Sequence, residues 1–102
     1  MRNIYAIQRV SGGEIKIGIA NDVGKRLRAL QTSHSEPLYV LLSFEGGSTM
    51  EKALHAHLKD HRAQGEWFYD NEHTRGALRL AQDGLLWEPD EWVKHASKLR
   101  KN

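Results

Sequence analysis

The sequence predicts an α+β domain in which a small antiparallel three-stranded sheet is flanked by helices and followed by a C-terminal helical extension. Three observations carry this. Isoleucines alternate at Ile15, Ile17 and Ile19, in a run that follows an earlier apolar run and two glycines, which is the pattern of a hairpin. The apolar spacing then changes to three and four residues at Val23, Leu27 and Leu30, the repeat of an amphipathic helix. A further apolar run over residues 38–44 supplies a third strand and leads into a second helical pattern.

Taken in order, Ile4-Tyr5-Ala6-Ile7-Gln8 is the first strand, and Ser11-Gly12-Gly13 turns it into the second, residues 14–19. Alternation puts the three isoleucines on one face and leaves Lys16 and Gly18 on the other, which is the face where chemistry can sit. A glycine there lets another group approach closely, and a lysine beside it presents a cation. Tyr5 on the first strand comes near Lys16, across the pair or at its open end. Asn21 or Asp22 caps a helix reaching about Gln31. Arg28 on that helix points to solvent, whereas Arg26 lies on the flank of the buried stripe. It can lean over the sheet edge into a cleft or lay its stem along apolar surface, and position alone favours the second.

Residues 32–37 are a loop by composition, and 38–44 read as a central or well-covered strand. Gly46-Gly47 breaks the chain. Ser48-Thr49-Met50-Glu51 then has the spacing of a capping box opening a helix to about Arg62. Met50, Leu54, His57, Leu58 and His61 share one arc of that helix; Glu51, His55 and Arg62 share a neighbouring one. By spacing alone Glu51 is a capping residue, and His57 and His61 are buried, hydrogen-bonded histidines rather than zinc ligands, since no third ligand stands at a suitable spacing. Gly65 stops the helix, and Glu66-Trp67-Phe68-Tyr69 is a short aromatic edge element whose Trp67 and Phe68 close the core. A short helix over 74–81 and a turn at Asp83-Gly84 follow. The chain ends in a basic helix opening at Pro89, with Trp92, Ala96 and Leu99 on one side and Lys94, Lys98, Arg100 and Lys101 around them.

At 102 residues and 39% hydrophobic content, one domain is expected, burying about two thirds of the surface its unfolded chain exposes. The absence of cysteine rules out a disulfide framework and a cysteine zinc site, and decides nothing about secretion. The first residues lack the apolar core of a signal peptide, and no apolar run approaches the ~20 residues of a membrane span, so no membrane association and a cytoplasmic setting are the expectation. The net charge is +2, with lysines and arginines clustered at 25–28 and 94–101. That balance is compatible with nucleic acid without demanding it.

The ordered set of Ile4-Tyr5, a hairpin, Lys16-Ile17-Gly18, Asp22-Val23-Gly24-Lys25-Arg26-Leu27 with Leu30-Gln31-Thr32, Glu51-Lys52-Ala53-Leu54-His55 and Gly65-Glu66-Trp67-Phe68 resembles the GIY-YIG nuclease superfamily. The likeness is to its small branch associated with phages, bacteria and mobile elements, and covers about residues 3–69. It implies a catalytic domain over 1–70, with 71–102 a helical extension packed on the same domain. It further implies that Tyr5 is the first motif's tyrosine, Lys16 stands at the position of the second, Arg26 is the helix arginine, Glu51 the metal-binding glutamate and His55 the histidine one turn later. Asn3 departs from the glycine of the first half-motif, and the nearest counterpart of the family's late asparagine is Asn71.

The implied activity is metal-dependent endonucleolytic hydrolysis of DNA. Mg²⁺ or Mn²⁺ on Glu51 would neutralise the scissile phosphate, and Arg26 would clamp a non-bridging oxygen. Tyr5 would position or deprotonate the attacking water, with Lys16 stabilising its phenolate and His55 serving as second base or orienting the water. Lys16, Lys25, Arg26 and Arg28 are the implied contacts to DNA. A homodimer or larger assembly would supply the affinity that so small a domain lacks, in the cytoplasm of a bacterial or phage-infected cell. The alternative is a catalytically weak or inactive module that binds nucleic acid or a protein partner.

Overall fold

Gly12 and Gly13, at φ +99° and +95°, take backbone conformations that L side chains rarely adopt, and they turn β1 (Asn3–Arg9) into β2 (Ile15–Ala20). The computed structural model describes residues 1–86, so the expected basic helix from Pro89, with Trp92, Lys94, Lys98 and Lys101, lies outside the described residues. After the hairpin come α1 (Val23–Gln31), β3 (Leu38–Glu45), α2 (Ser48–His57), β4 (Arg62–Gln64), β5 (Trp67–Phe68) and α3 (Glu72–Gln82). The fold is α+β, as expected. Its sheet, however, has five antiparallel strands in the order β3-β1-β2-β5-β4, where three were expected.

The two extra strands exist because α2 stops early. Helical spacing carries it to about Arg62, but Leu58 leaves the helix at φ −105° and ψ 15°, and a single 3-10 turn, Lys59–His61, follows. Arg62 is already extended, at φ −76° and ψ 129°, and pairs with Phe68. Strand pairing has overridden local spacing. The shared arc of histidines breaks with it: His57 is exposed, while His61 is half-buried, accepts a hydrogen bond from Asn71 Nδ2 at 3.1 Å and stacks on His73 at 4.9 Å. The capping box is displaced too. Gly47 is the N-cap, Ser48 is already helical and no side-chain cap bond forms there, so Glu51 is not held by a capping box.

Nor is β3 central, although it is the longest apolar run. It forms one edge of the sheet, with its residues mostly half-buried or exposed, and β4 forms the other. The covered centre is β1, buried from Ile4 to Gln8. Trp67 and Phe68, expected at an edge, lie between β2 and β4. Phe68 is fully buried, whereas Trp67 stays half-exposed.

The sheet separates two cores. Ile4, Ala6, Ile15, Ile17 and Phe68 pack on one face against Ala53, Leu54 and Leu58 and against Ala77, Leu78 and Ala81 of α3. On the other face Tyr5, Ile7 and Leu38 lie under Val23, Leu27 and Leu30 of α1. Lys16 and Gly18 share this second face, as alternation requires. α3 opens at Glu72 rather than Thr74, because Asn71 Oδ1 accepts from the Thr74 amide at 2.9 Å and caps it. Among the described residues no helix is long and apolar enough to cross a membrane.

Two consequences can be measured. Gly18 stands opposite Tyr5, and an added Cβ would lie 2.5 Å from the tyrosine Oη and 2.7 Å from Cζ. Tyr5 is 1% exposed and has nowhere to retreat. Gly18→Ala should therefore cost about 1–3 kcal/mol in a thermal melt, with only partial rescue by Tyr5→Phe, since Cζ remains in the way. Separately, Arg75 donates to Asp70 Oδ1 at 2.6 Å and to Oδ2 at 3.0 Å, and Gln8 Nε2 adds a bond at 2.9 Å. The Arg75 bonds chiefly hold the Asp70 carboxyl below its ordinary value of 3.8, against the opposing effect of burial. Its contribution is complete above that value and is lost as pH falls through the lower folded one. Half-exposed Arg75 limits it to about 1 kcal/mol or less, so urea melts of wild type and Asp70→Asn should differ at pH 7 and converge toward pH 3.

Candidate active site

β5 pairs with β2 only at Ile15 and Lys16, which leaves Gly18–Ala20 without a partner on that side among the described residues. Helices from both faces of the sheet reach this end. α1 brings Arg26 because Asp22 starts the helix there: its side chain accepts from the Lys25 amide and its carbonyl from the Arg26 amide, both at 3.0 Å. With Val23, Leu27 and Leu30 turned to the sheet, Arg26 lies on the flank and donates from Nε to Tyr5 Oη at 3.4 Å. The arginine thus reaches across the sheet face to a tyrosine of β1 rather than only laying its stem along apolar surface. The bond to Tyr5, with help from the charges of Tyr5 and Glu66, holds the guanidinium pKa above its ordinary value, so Arg26 stays cationic. Lys25 and Arg28 are exposed on the same helix.

Lys16 was expected near Tyr5, across the pair or at its open end. The register instead places it opposite Ile7 and Trp67, with Gly18 opposite Tyr5. Its Nζ donates to Glu66 Oε1 at 3.1 Å and lies 5.5 Å from the centre of the Trp67 ring. The cation on the tyrosine oxygen is therefore Arg26, and Lys16 serves a carboxylate. At 9% exposure the ammonium needs that counter-charge.

α2 contributes Glu51 and His55 from the other face. One ligand atom each of Glu51, His55 and Glu66 lies within 4.8 Å of the others, and all three residues are half-buried. His55 Nε2 sits 3.1 Å from the Ile17 carbonyl. A carbonyl only accepts, so Nε2 carries a proton, and the nitrogen left to ligate a metal is Nδ1. A ring N–H given to a backbone carbonyl is how metal-ligating histidines are usually oriented. Donors on opposite sides of a magnesium-sized ion stand about 4.2 Å apart, twice its ligand distance, so small side-chain rotations would bring these groups around one cation. Two carboxylates and one imidazole fit Mg²⁺ or Mn²⁺, the imidazole favouring the transition metal.

Tyr5, Lys16, Arg26, Glu51 and His55 therefore converge, and Glu66 connects them. Sequence reasoning placed Glu66 in a motif without giving it a role. The signal available was an acid between a turn glycine, Gly65 at φ +55°, and two aromatic residues, in a segment otherwise built to close a core. Asn71 stands apart from this group as the cap of α3.

Comparison with known proteins bears on the family. Residues 3–83 match a family model described as the T5orf172 domain, and no GIY-YIG model matches, which corrects the GIY-YIG resemblance drawn from the motifs. Those motifs sample a few short stretches, whereas the match weighs every position from β1 through α3. No curated protein and no solved structure matches the chain. On a match spanning residues 3–83 of 102, the chain belongs to the T5orf172 domain family.

Proposed function

We infer that this protein is a metal-dependent endonuclease that hydrolyses DNA phosphodiester bonds. The observation that carries the reading is the meeting of a Glu51–His55–Glu66 donor set with the Tyr5–Arg26 pair at one end of β2. A divalent cation, Mg²⁺ or Mn²⁺, would supply charge neutralisation at the scissile phosphate and at the leaving oxygen. Glu51, from α2, would hold it.

Arg26 contributes a guanidinium that binds a non-bridging phosphate oxygen and stabilises the charge that grows there. Its Nε is already aligned on Tyr5 Oη, so the tyrosine and the bound phosphate share one cation. Tyr5, buried to the hydroxyl, orients the attacking water from a fixed position. His55 belongs to the same donor set, with its ring fixed by the Ile17 carbonyl. Lys25 and Arg28 lie exposed on α1 and meet the flanking phosphates through contacts that are electrostatic and indifferent to sequence.

The test is incubation of the purified chain with supercoiled plasmid in Mg²⁺, in Mn²⁺ and in EDTA. Nicking should require metal and disappear in Glu51→Gln, while gel-shift affinity for the same DNA in EDTA stays within about threefold, because no basic side chain is removed. Arg26→Ala should slow nicking by about 100-fold or more and weaken binding as well. A plasmid that shifts in the gel but is never nicked would make the protein a nucleic-acid-binding module. A Glu51→Gln protein that nicks normally would remove that residue from the reaction.

A further inference from the structure

Lys16 holds a place in this site that the reaction above leaves open, and its reading rests on the Glu51–His55–Glu66 set being a cation site. Its ammonium, 9% exposed, takes its counter-charge from Glu66 at 3.1 Å. The same carboxylate belongs to the donor set. An ammonium and a divalent cation thus draw on one glutamate. We propose that Lys16 is an internal competitor of the metal: it holds Glu66 until a divalent cation binds, and the cation takes over the carboxylate and frees the ammonium for a substrate phosphate.

The surroundings allow this exchange without moving the backbone. The Glu66 carbonyl accepts from the Ile17 amide at 3.0 Å, and the Ile17 carbonyl is bound by His55. Both donors are therefore anchored to one residue of β2, and only the side-chain torsions of Glu66 and Lys16 need to change. Lys16 also has a second neighbour that tolerates its charge, since the Trp67 ring lies 5.5 Å from Nζ. An ammonium released from a carboxylate is a compact point charge suited to phosphate. Metal and nucleic acid then favour each other's binding, reciprocally. The exchange also explains why a lysine stands at so buried a position on the face that Gly18 clears for Tyr5: a cation already in place neutralises Glu66 beside Glu51.

The experiment is a titration of the full chain with Mn²⁺, read by electron paramagnetic resonance, for wild type and for Lys16→Met, Lys16→Arg, Glu66→Gln, Glu51→Gln and the Lys16→Met/Glu66→Gln double variant. Folding of each is checked by circular dichroism. Lys16→Met should bind Mn²⁺ about tenfold more tightly than wild type, an ordinary size for coupling between two sites, and Lys16→Arg, which keeps the charge, within about threefold of it. Glu66→Gln should bind about tenfold more weakly. With the contested carboxylate gone, Lys16→Met should add less than about threefold in the double variant. A purely structural lysine predicts the opposite sign for Lys16→Met, so unchanged or weaker Mn²⁺ binding by that variant, folded, overturns the proposal. If Glu51→Gln abolishes Mn²⁺ binding while Lys16→Met leaves it unaltered, the nuclease reading stands and this one falls. Failure of wild type to bind Mn²⁺ overturns both.

Discussion

The main chain of Ile17 ties the two faces of the sheet together at the candidate site. Its amide is bound by the Glu66 carbonyl and its carbonyl by His55 Nε2, while its side chain is fully buried in the core under α2 and α3. One residue thereby sets the position of the turn before β5 and of the last turn of α2. Neither could shift without leaving a polar main-chain group of a central strand unpaired, which is costly where water is excluded. The donor set is precise because two elements distant in sequence are referred to the same residue.

On the opposite face the constraint is steric. Tyr5 fits because Gly18 has no side chain, and the fit puts the hydroxyl where an arginine on the flank of α1 can reach it. Electrostatics then ranks the cations. Arg26, at the rim, keeps its charge next to the Tyr5 hydroxyl and remains open to an anion from outside. Lys16 is nine-tenths buried and tied to a carboxylate. Substituting a lysine for Arg26 would lose the planar fork that serves a hydroxyl and a phosphate together, so the two basic residues are not equivalent.

The hairpin, α1 and its Asp22 cap, the two faces of β2 and the apolar core were legible in the sequence, because each is decided by side chains within a few residues of one another. Three expectations failed for a common reason. The length of α2, the edge position of β3 and the interior position of β5 depend on which strand finds which partner, and that is settled by chain segments tens of residues apart. The capping box failed for a smaller one: Gly47 opened the helix one residue sooner than Ser48 would have. Of the site, Tyr5, Lys16, Arg26, Glu51 and His55 were picked out in advance, but the partners assigned to Lys16 and Arg26 were not. A shift of two residues in the hairpin register decides whether Tyr5 meets a lysine or a glycine.

By itself, then, the sequence determined the residue types and the face each occupies: alternation in β2 and the helical repeat in α1 leave no other way to bury Ile15, Ile17, Leu27 and Leu30. Only the tertiary structure decided the pairings that give those residues chemistry. Arg26 reached Tyr5, Lys16 turned to Glu66, and Glu66 joined Glu51 and His55. Each pairing depends on strand register and on where a helix ends, and the free energies behind both come from long-range packing and main-chain hydrogen bonds rather than from any local preference.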